Sequence, residues 1–112
     1  MKKLEIIVKS EKLEQVKKLL DDHGATGAMI TNIMGYGNQK GYRATYRGSD
    51  YIVNLLPKIK IETVVSDDKV EEMIEAFEEV LYTDSVGAGK IFIYNVEDAV
   101  RIRTRERGDG AL

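Results

Sequence analysis

Four of the chain's six arginines, Arg101, Arg103, Arg105 and Arg107, stand at alternate positions in one short stretch near its C-terminal end. A guanidinium presents a planar fork that meets two phosphate oxygens at once, so two forks two residues apart suit a polyphosphate. If the stretch is extended, all four groups share one face. The plainer reading of such a run is a solvated edge strand whose charges discourage aggregation. Upstream, Gly87-Ala88-Gly89-Lys90 offers two glycines that let backbone N–H groups approach a phosphate, and a lysine that adds a point charge. Alone it is a weak signal, because a Gly-x-Gly turn before a strand is usually just a turn. A third concentration lies at 36–56, where Tyr36, Tyr42, Tyr46, Tyr51, Arg43 and Arg47 are interspersed with glycines at 37, 41 and 48. Tyrosine and arginine dominate binding hot spots.

Other chemistries are excluded by what the chain lacks. It contains no cysteine and a single histidine, His23, so disulfides, thiolate metal sites and histidine metal clusters are out. No nucleophile and base constellation can be named, and His23 has no evident catalytic partner, so we expect no enzyme. The net charge of -2 gives no general attraction to nucleic acid, and the acids gather between Asp67 and Glu79. No apolar run approaches the roughly 20 residues of a membrane span, and Met1-Lys2-Lys3 leads into an alternating stretch; a cytoplasmic protein is expected. At 112 residues the chain reads as one domain, 1–112.

The elements that must position these groups follow from periodicity. Lys3 to Lys9 alternates around Leu4, Ile6 and Val8, which predicts a strand, and Ser10 is placed to cap a helix traced by Leu13, Val16 and Leu20. Gly24 is a natural helix stop, and Ala28 to Met34 reads as a second strand. The plan then repeats. Lys58 to Val65 alternates with Ile59, Ile61, Thr63 and Val65 on one face. Asp67 or Asp68 opens a helix with Val70, Met73, Ile74, Phe77 and Leu81 on one stripe, and Ile91 to Tyr94 is a last strand. The order βαββαβ predicts an α+β, ferredoxin-like sheet with both helices on one face. Between the halves, 36–56 is a connection of about twenty residues where about two to five would suffice, either a partner-binding loop or a long strand extension.

Several segments resemble the PII nitrogen-regulatory signal-transduction proteins. They are Gly35-Tyr36-Gly37-Asn38-Gln39-Lys40-Gly41, Tyr46-Arg47-Gly48-Ser49-Asp50-Tyr51, Leu56-Pro57-Lys58-Ile59-Lys60-Ile61-Glu62, Thr83-Asp84-Ser85-Val86-Gly87-Ala88-Gly89-Lys90-Ile91-Phe92 and Arg101-Ile102-Arg103-Thr104. Each is weak by itself, but five in register cover essentially the whole chain. The resemblance implies a homotrimer with ATP or ADP in clefts between subunits. It assigns nucleotide contacts to Gly35, Gly37, Asn38, Gln39, Gly87, Ala88, Gly89, Lys90, Arg101 and Arg103. It puts Glu62 and the Val64 backbone near ribose and adenine, and Gly27 and Met29 on the neighbouring chain's side of the cleft. It implies 2-oxoglutarate at Gln39, Lys40, Gly41 and Lys58, with Mg²⁺ carried by ATP and met by Gln39; for Lys58 alone, a solvated charge on the polar strand face would otherwise be the preferred reading. It makes 36–56 the protruding partner-binding loop, with Tyr46, Arg47 and Gly48 at its centre and Tyr51 as a residue modified in some members. It also implies a glycine nucleotide loop at 82–90 and a basic C-terminal segment at 101–108.

Departures from the family pattern are Asn38 in place of a common Arg, Ala88 in place of Asp or another polar residue, Met29 where Thr or Ser is frequent, Ser10 where Pro is usual, and Asp50 where Glu is typical. The loss of a cation at Asn38 predicts weak discrimination between ATP and ADP. The expected function is a signal transducer that senses adenylate and 2-oxoglutarate and regulates an ammonium transporter, at the inner face of the membrane, or nitrogen-assimilation proteins. The alternative is a diverged adenylate sensor without a 2-oxoglutarate response that controls another transporter. A slow ATPase using the same pocket is a third reading, disfavoured because no catalytic constellation is present.

Overall fold

A computed structural model describes the chain except for residues 38–41, 47, 54 and 85–86, and describes 42–46 and 49–53 as backbone alone. Among the described residues, six strands and two α-helices follow in the order β1 (Lys2–Val8), α1 (Leu13–Asp22), β2 (Met29–Gly35), β3 (Tyr42–Tyr46), β4 (Ser49–Val53), β5 (Leu56–Val65), α2 (Val70–Leu81) and β6 (Lys90–Asn95). The main sheet is antiparallel with strand order β2-β5-β1-β6, so the two halves interleave as a ferredoxin-like α+β fold requires.

Period-two alternation decides which face is covered. Leu4, Ile6 and Val8 of β1 and Ile59, Ile61, Thr63 and Val65 of β5 are all buried, opposite one another in register, and meet Val16, Leu19 and Leu20 of α1 and Val70, Met73, Phe77 and Leu81 of α2. Both helices therefore lie on one face, each placing a single apolar stripe on the sheet. The opposite face carries Lys3, Glu5 and Ile7 of β1, Lys58, Lys60, Glu62 and Val64 of β5, and Lys90, Phe92 and Tyr94 of β6, which the register sets side by side.

Local punctuation differs from expectation at the first helix start. Ser10 does not cap α1: Ser10–Lys12 forms a 3₁₀ turn preceded by Lys9, with no side-chain capping bond. Asp67–Lys69 likewise forms a 3₁₀ turn before α2. There the Ser66 hydroxyl donates to Asp68 Oδ1 at 2.5 Å, where it does not serve as a helix cap. Gly24 ends α1 as expected, at φ +72°.

The long connection is not a loop throughout. β3 and β4 pair as a separate two-stranded ribbon from Tyr42↔Val53 to Tyr46↔Ser49, with Gly48 at φ +79° in the turn. Neither strand of the ribbon joins the main sheet. The chain's radius of gyration is 17.2 Å, against about 13 Å for a compact chain of this length, and its longest axis is 60 Å.

The arginine stretch is corrected more sharply. It forms no extended strand, so the condition for its four guanidinium groups to share one face is not met. Val100 bridges Arg107, the Arg101 N–H donates to the Glu106 carbonyl at 3.0 Å, and the Arg105 N–H donates to the Arg101 carbonyl at 2.7 Å, so the chain folds back on itself. Arg105 takes the left-handed conformation, φ +64°.

Candidate functional site

Two concavities gather most of the described candidate residues. The first, about 530 Å³, is lined by Gly27, Met29, Glu62, Val64 and Arg101, together with Lys3 and the terminal residues Ala111 and Leu112. Strand pairing makes it: Met29 lies opposite Glu62, and Thr63 turns inward, where its hydroxyl donates to the Gly27 carbonyl at 2.7 Å and ties the α1–β2 connection to β5. Glu62 accepts from Lys3 Nζ at 3.2 Å and lies 3.6 Å from Lys60 Nζ. The Lys3 hydrogen bond is the largest cause holding the Glu62 carboxyl below its ordinary range. Lys3 also stands 4.5 Å from the centre of the Tyr94 ring, a cation–π contact.

The second, about 240 Å³, is lined by Gly35, Gly37, Lys58, Gly87, Gly89 and Lys90 with Ile7 and Phe92. Gly87 and Gly89 have φ +92° and +125°, which side-chain-bearing residues rarely adopt. At Gly89 a Cβ would stand 2.6 Å from the Ile7 carbonyl oxygen, so a glycine here lets the loop lie directly on β1. Burial first, and then the Lys9 charge, lower the Lys58 pKa. Its stem packs over Gly35, whose added Cβ would be 3.3 Å from Lys58 Cγ.

A larger groove of about 570 Å³ runs between α2 and β6, with Ala88, Gly89 and Lys90 at one end. Its walls are hydrocarbon, from Ile74, Phe77, Leu81, Ile91 and Ile93, and Glu78 stands at its edge. The smaller concavity has the more cationic lining, with Lys58 as well as Lys90 beside Gly87 and Gly89.

The structure brings Gly27, Met29, Glu62, Val64 and Arg101 together in one chain, and Gly35, Gly37, Lys58, Gly87, Gly89 and Lys90 in another place. Ala88 adjoins the second group but lines the apolar groove. Arg103 joins neither: it lies in the turn of its loop and is exposed. Arg101 is engaged within the chain, donating from Nη2 to the Leu112 oxygen at 2.6 Å and from Nη1 to Glu106 at 3.5 Å. Asn38, Gln39, Lys40, Gly41 and Arg47 lie outside the described residues, and Tyr46 and Tyr51 are described as backbone in β3 and β4. Among the described residues no group of three His, Cys, Asp or Glu could hold a metal, and no helix is long and apolar enough to cross a membrane.

Lys3, Tyr94 and the 111–112 end were not singled out from the sequence. Cross-strand register was the signal that finds Lys3: it pairs with Val64 and is thereby diagonal to Glu62.

The profile of the family described as "Nitrogen regulatory protein P-II" matches residues 1–106. The chain belongs to the P-II family. Proteins named Nitrogen regulatory protein P-II from Cereibacter sphaeroides and Rhodospirillum rubrum are 49% and 48% identical over 112 residues, covering 100% of this chain and of each relative. A solved structure described as that of B. subtilis GlnK superposes with a TM-score of 0.80 at 38% identity, covering 99% of this chain and 97% of that one. As a P-II protein the chain is a regulatory signal transducer and not an enzyme.

Proposed function

We propose that this P-II protein is an adenine-nucleotide sensor that acts as a homotrimer, binding ATP or ADP in clefts between subunits. The observation that carries the reading is the split of the candidate residues. The carboxylate of Glu62, the Val64 backbone and Arg101 border one concavity, while the glycine turn, Lys58 and Lys90 border another. A nucleotide spans such a pair of sites, with its ribose and base at Glu62 and Val64 and its phosphates between Arg101 at the rim of the first concavity and the glycine turn, Lys58 and Lys90 of the second. One ligand touching both sets draws them from two chains, so Gly27 and Met29 come to the cleft together with Glu62, Val64 and Arg101. Apolar side chains exposed on both edge strands, Met29, Ile30 and Met34 on β2 and Phe92, Ile93 and Tyr94 on β6, support an assembly in which those edges are covered.

The glycine turn suits phosphate: left-handed glycines free successive N–H groups to point outward, and Lys90 supplies charge. Mg²⁺ takes oxygen ligands, so in this reading it arrives with ATP, is met by Gln39, and is completed by 2-oxoglutarate, whose carboxylate Lys58 receives. The effector thereby acts on 39–41, the segment that precedes β3 in the sequence. The segment 36–56, which includes Tyr46, Arg47, Gly48 and Tyr51, carries the output to a membrane ammonium channel or to nitrogen-assimilation proteins, and the cytoplasmic protein is recruited to the membrane through it. Nucleic acid is not a partner of this acidic chain.

Calorimetric titration with ATP, ADP and 2-oxoglutarate, each with and without Mg²⁺, tests this. Binding of 2-oxoglutarate in Mg-ATP and not in ADP is the expected result. Adenylate binding with no 2-oxoglutarate response under any condition selects a sensor of adenylate alone. No nucleotide binding overturns both. Arg103→Ala weakens ATP by about 1.5–3 kcal/mol if its guanidinium reaches a phosphate from the exposed turn.

A further inference from the structure

Asp98 makes four contacts within one short loop. Its Oδ1 accepts from the backbone N–H of Ala99 at 2.8 Å and of Gly108 at 3.0 Å. Its Oδ2 accepts from Arg107 Nε at 2.8 Å and from Arg107 Nη2. These donors come from both feet of the loop, which the Gly108 N–H closes by donating to the Ala99 carbonyl at 3.0 Å. Between the feet lie Arg101, whose side chain lines the larger candidate cavity, and Arg103. The loop joins neither sheet, and its turn holds Arg105 in a conformation unfavourable for a side-chain-bearing residue. Its shape therefore depends on what ties its feet. A carboxylate that accepts from both feet is such a tie, and charge-assisted bonds are the strong ones.

We infer that Asp98 is a positioning residue for the phosphate side of the cavity, clamping the loop 99–107 so that Arg101 is held at the rim, and that Arg107 serves this clamp and does not meet the ligand. The inference rests on the nucleotide reading of that cavity. It also divides the labour among the four alternate arginines: Arg107 is neutralised by Asp98, Arg105 makes the turn, Arg101 stands at the cavity rim where an anion would exchange with its Leu112 and Glu106 partners, and Arg103 is exposed.

The test is a double-mutant cycle read by ATP and adenosine titration of the full chain. Asp98→Ala and Arg107→Ala each weaken ATP about tenfold, and the double variant no more than either single one, since all three lose the same clamp. Adenosine affinity stays within about twofold, because base and ribose contacts lie on β2 and β5. Asp98→Asn, which retains acceptors for the two backbone donors, gives an intermediate loss. Amide hydrogen exchange at Ala99, Arg101 and Gly108 rises in Asp98→Ala and not elsewhere. Unchanged ATP affinity in Asp98→Ala overturns the inference, as do additive losses in the double variant, which would mean that Arg107 contacts phosphate. Equal losses for ATP and adenosine overturn it in favour of a general structural role. Absence of ATP binding in the unaltered chain overturns the nucleotide reading and the positioning role with it, and is told apart because no substitution is involved.

Discussion

Replacing Gly89 by alanine tests the seat of the glycine turn, where conformation and space act together. The residue has φ +125°, and an added Cβ would stand 2.6 Å from the Ile7 carbonyl oxygen and 2.9 Å from Val8 Cγ1. Conformational strain at a positive φ costs about 1–2 kcal/mol for an L-residue. Overpacking against a neighbour that cannot retreat adds about 1–3 kcal/mol, and here the nearest atom is backbone of a strand inside the sheet. The sum is about 2–5 kcal/mol, a fall in Tm of roughly 8–20 °C at about 4 °C per kcal/mol. Gly37→Ala is the control, because nothing lies within 4 Å of its added Cβ and its φ is not positive. Thermal and urea unfolding of both variants at one protein concentration, which fixes any contribution from association, gives the comparison. Relief of the clash by lifting the turn off β1 also displaces Lys90, so ATP affinity falls at least about tenfold at a temperature where both proteins are folded, about 1.4 kcal/mol. A Gly89→Ala protein within about 0.5 kcal/mol of the parent, or a Gly37→Ala protein as damaged as it, refutes the reasoning.

Thr63→Val removes the hydroxyl that donates to the Gly27 carbonyl and leaves that carbonyl without its partner; a loss of about 1–2 kcal/mol in chemical denaturation is expected, and a neutral result means water or a shifted loop replaces the bond. Arg105→Gly relieves the left-handed conformation and raises stability by about 0.5–1 kcal/mol after glycine's own entropy cost; a lower Tm would show that the arginine side chain contributes more than its backbone loses. For pH, the folded-state pKa of Glu62 is depressed, chiefly by the Lys3 bond, so this contribution is present above the unfolded carboxylate value and is lost as pH falls through the folded one. The stability advantage over Lys3→Met is therefore present at neutral pH and lost as the pH falls through the folded-state value of Glu62, and an advantage that persists undiminished once that carboxyl is protonated assigns it to packing of the lysine stem on Tyr94.

Sequence by itself determined the two βαβ halves, the covered sheet face and the helix stripes, because period-two and 3.6-residue alternation are local properties that survive into the fold. Ile59, Ile61, Thr63 and Val65 could be assigned to one face before any partner was known, since adjacent strand residues point to opposite sides. The motifs around Gly35, Tyr46, Leu56, Thr83 and Arg101 carried the family in the same way. Alternation misled at Arg101 to Arg107, because a period of two reports a shared face only if the backbone is extended. What bends this segment is non-local along the chain, the Asp98 carboxylate reaching Arg107 and Gly108. Ser10 misled for a related reason: a 3₁₀ turn takes up the position where a cap was expected. Tertiary structure alone decided that Lys3 meets Glu62, that Thr63 holds the Gly27 carbonyl, and that the candidate residues fall into two concavities. Each depends on the register between strands distant in sequence, and a register is fixed by the packing of the whole sheet and not by any one strand's composition.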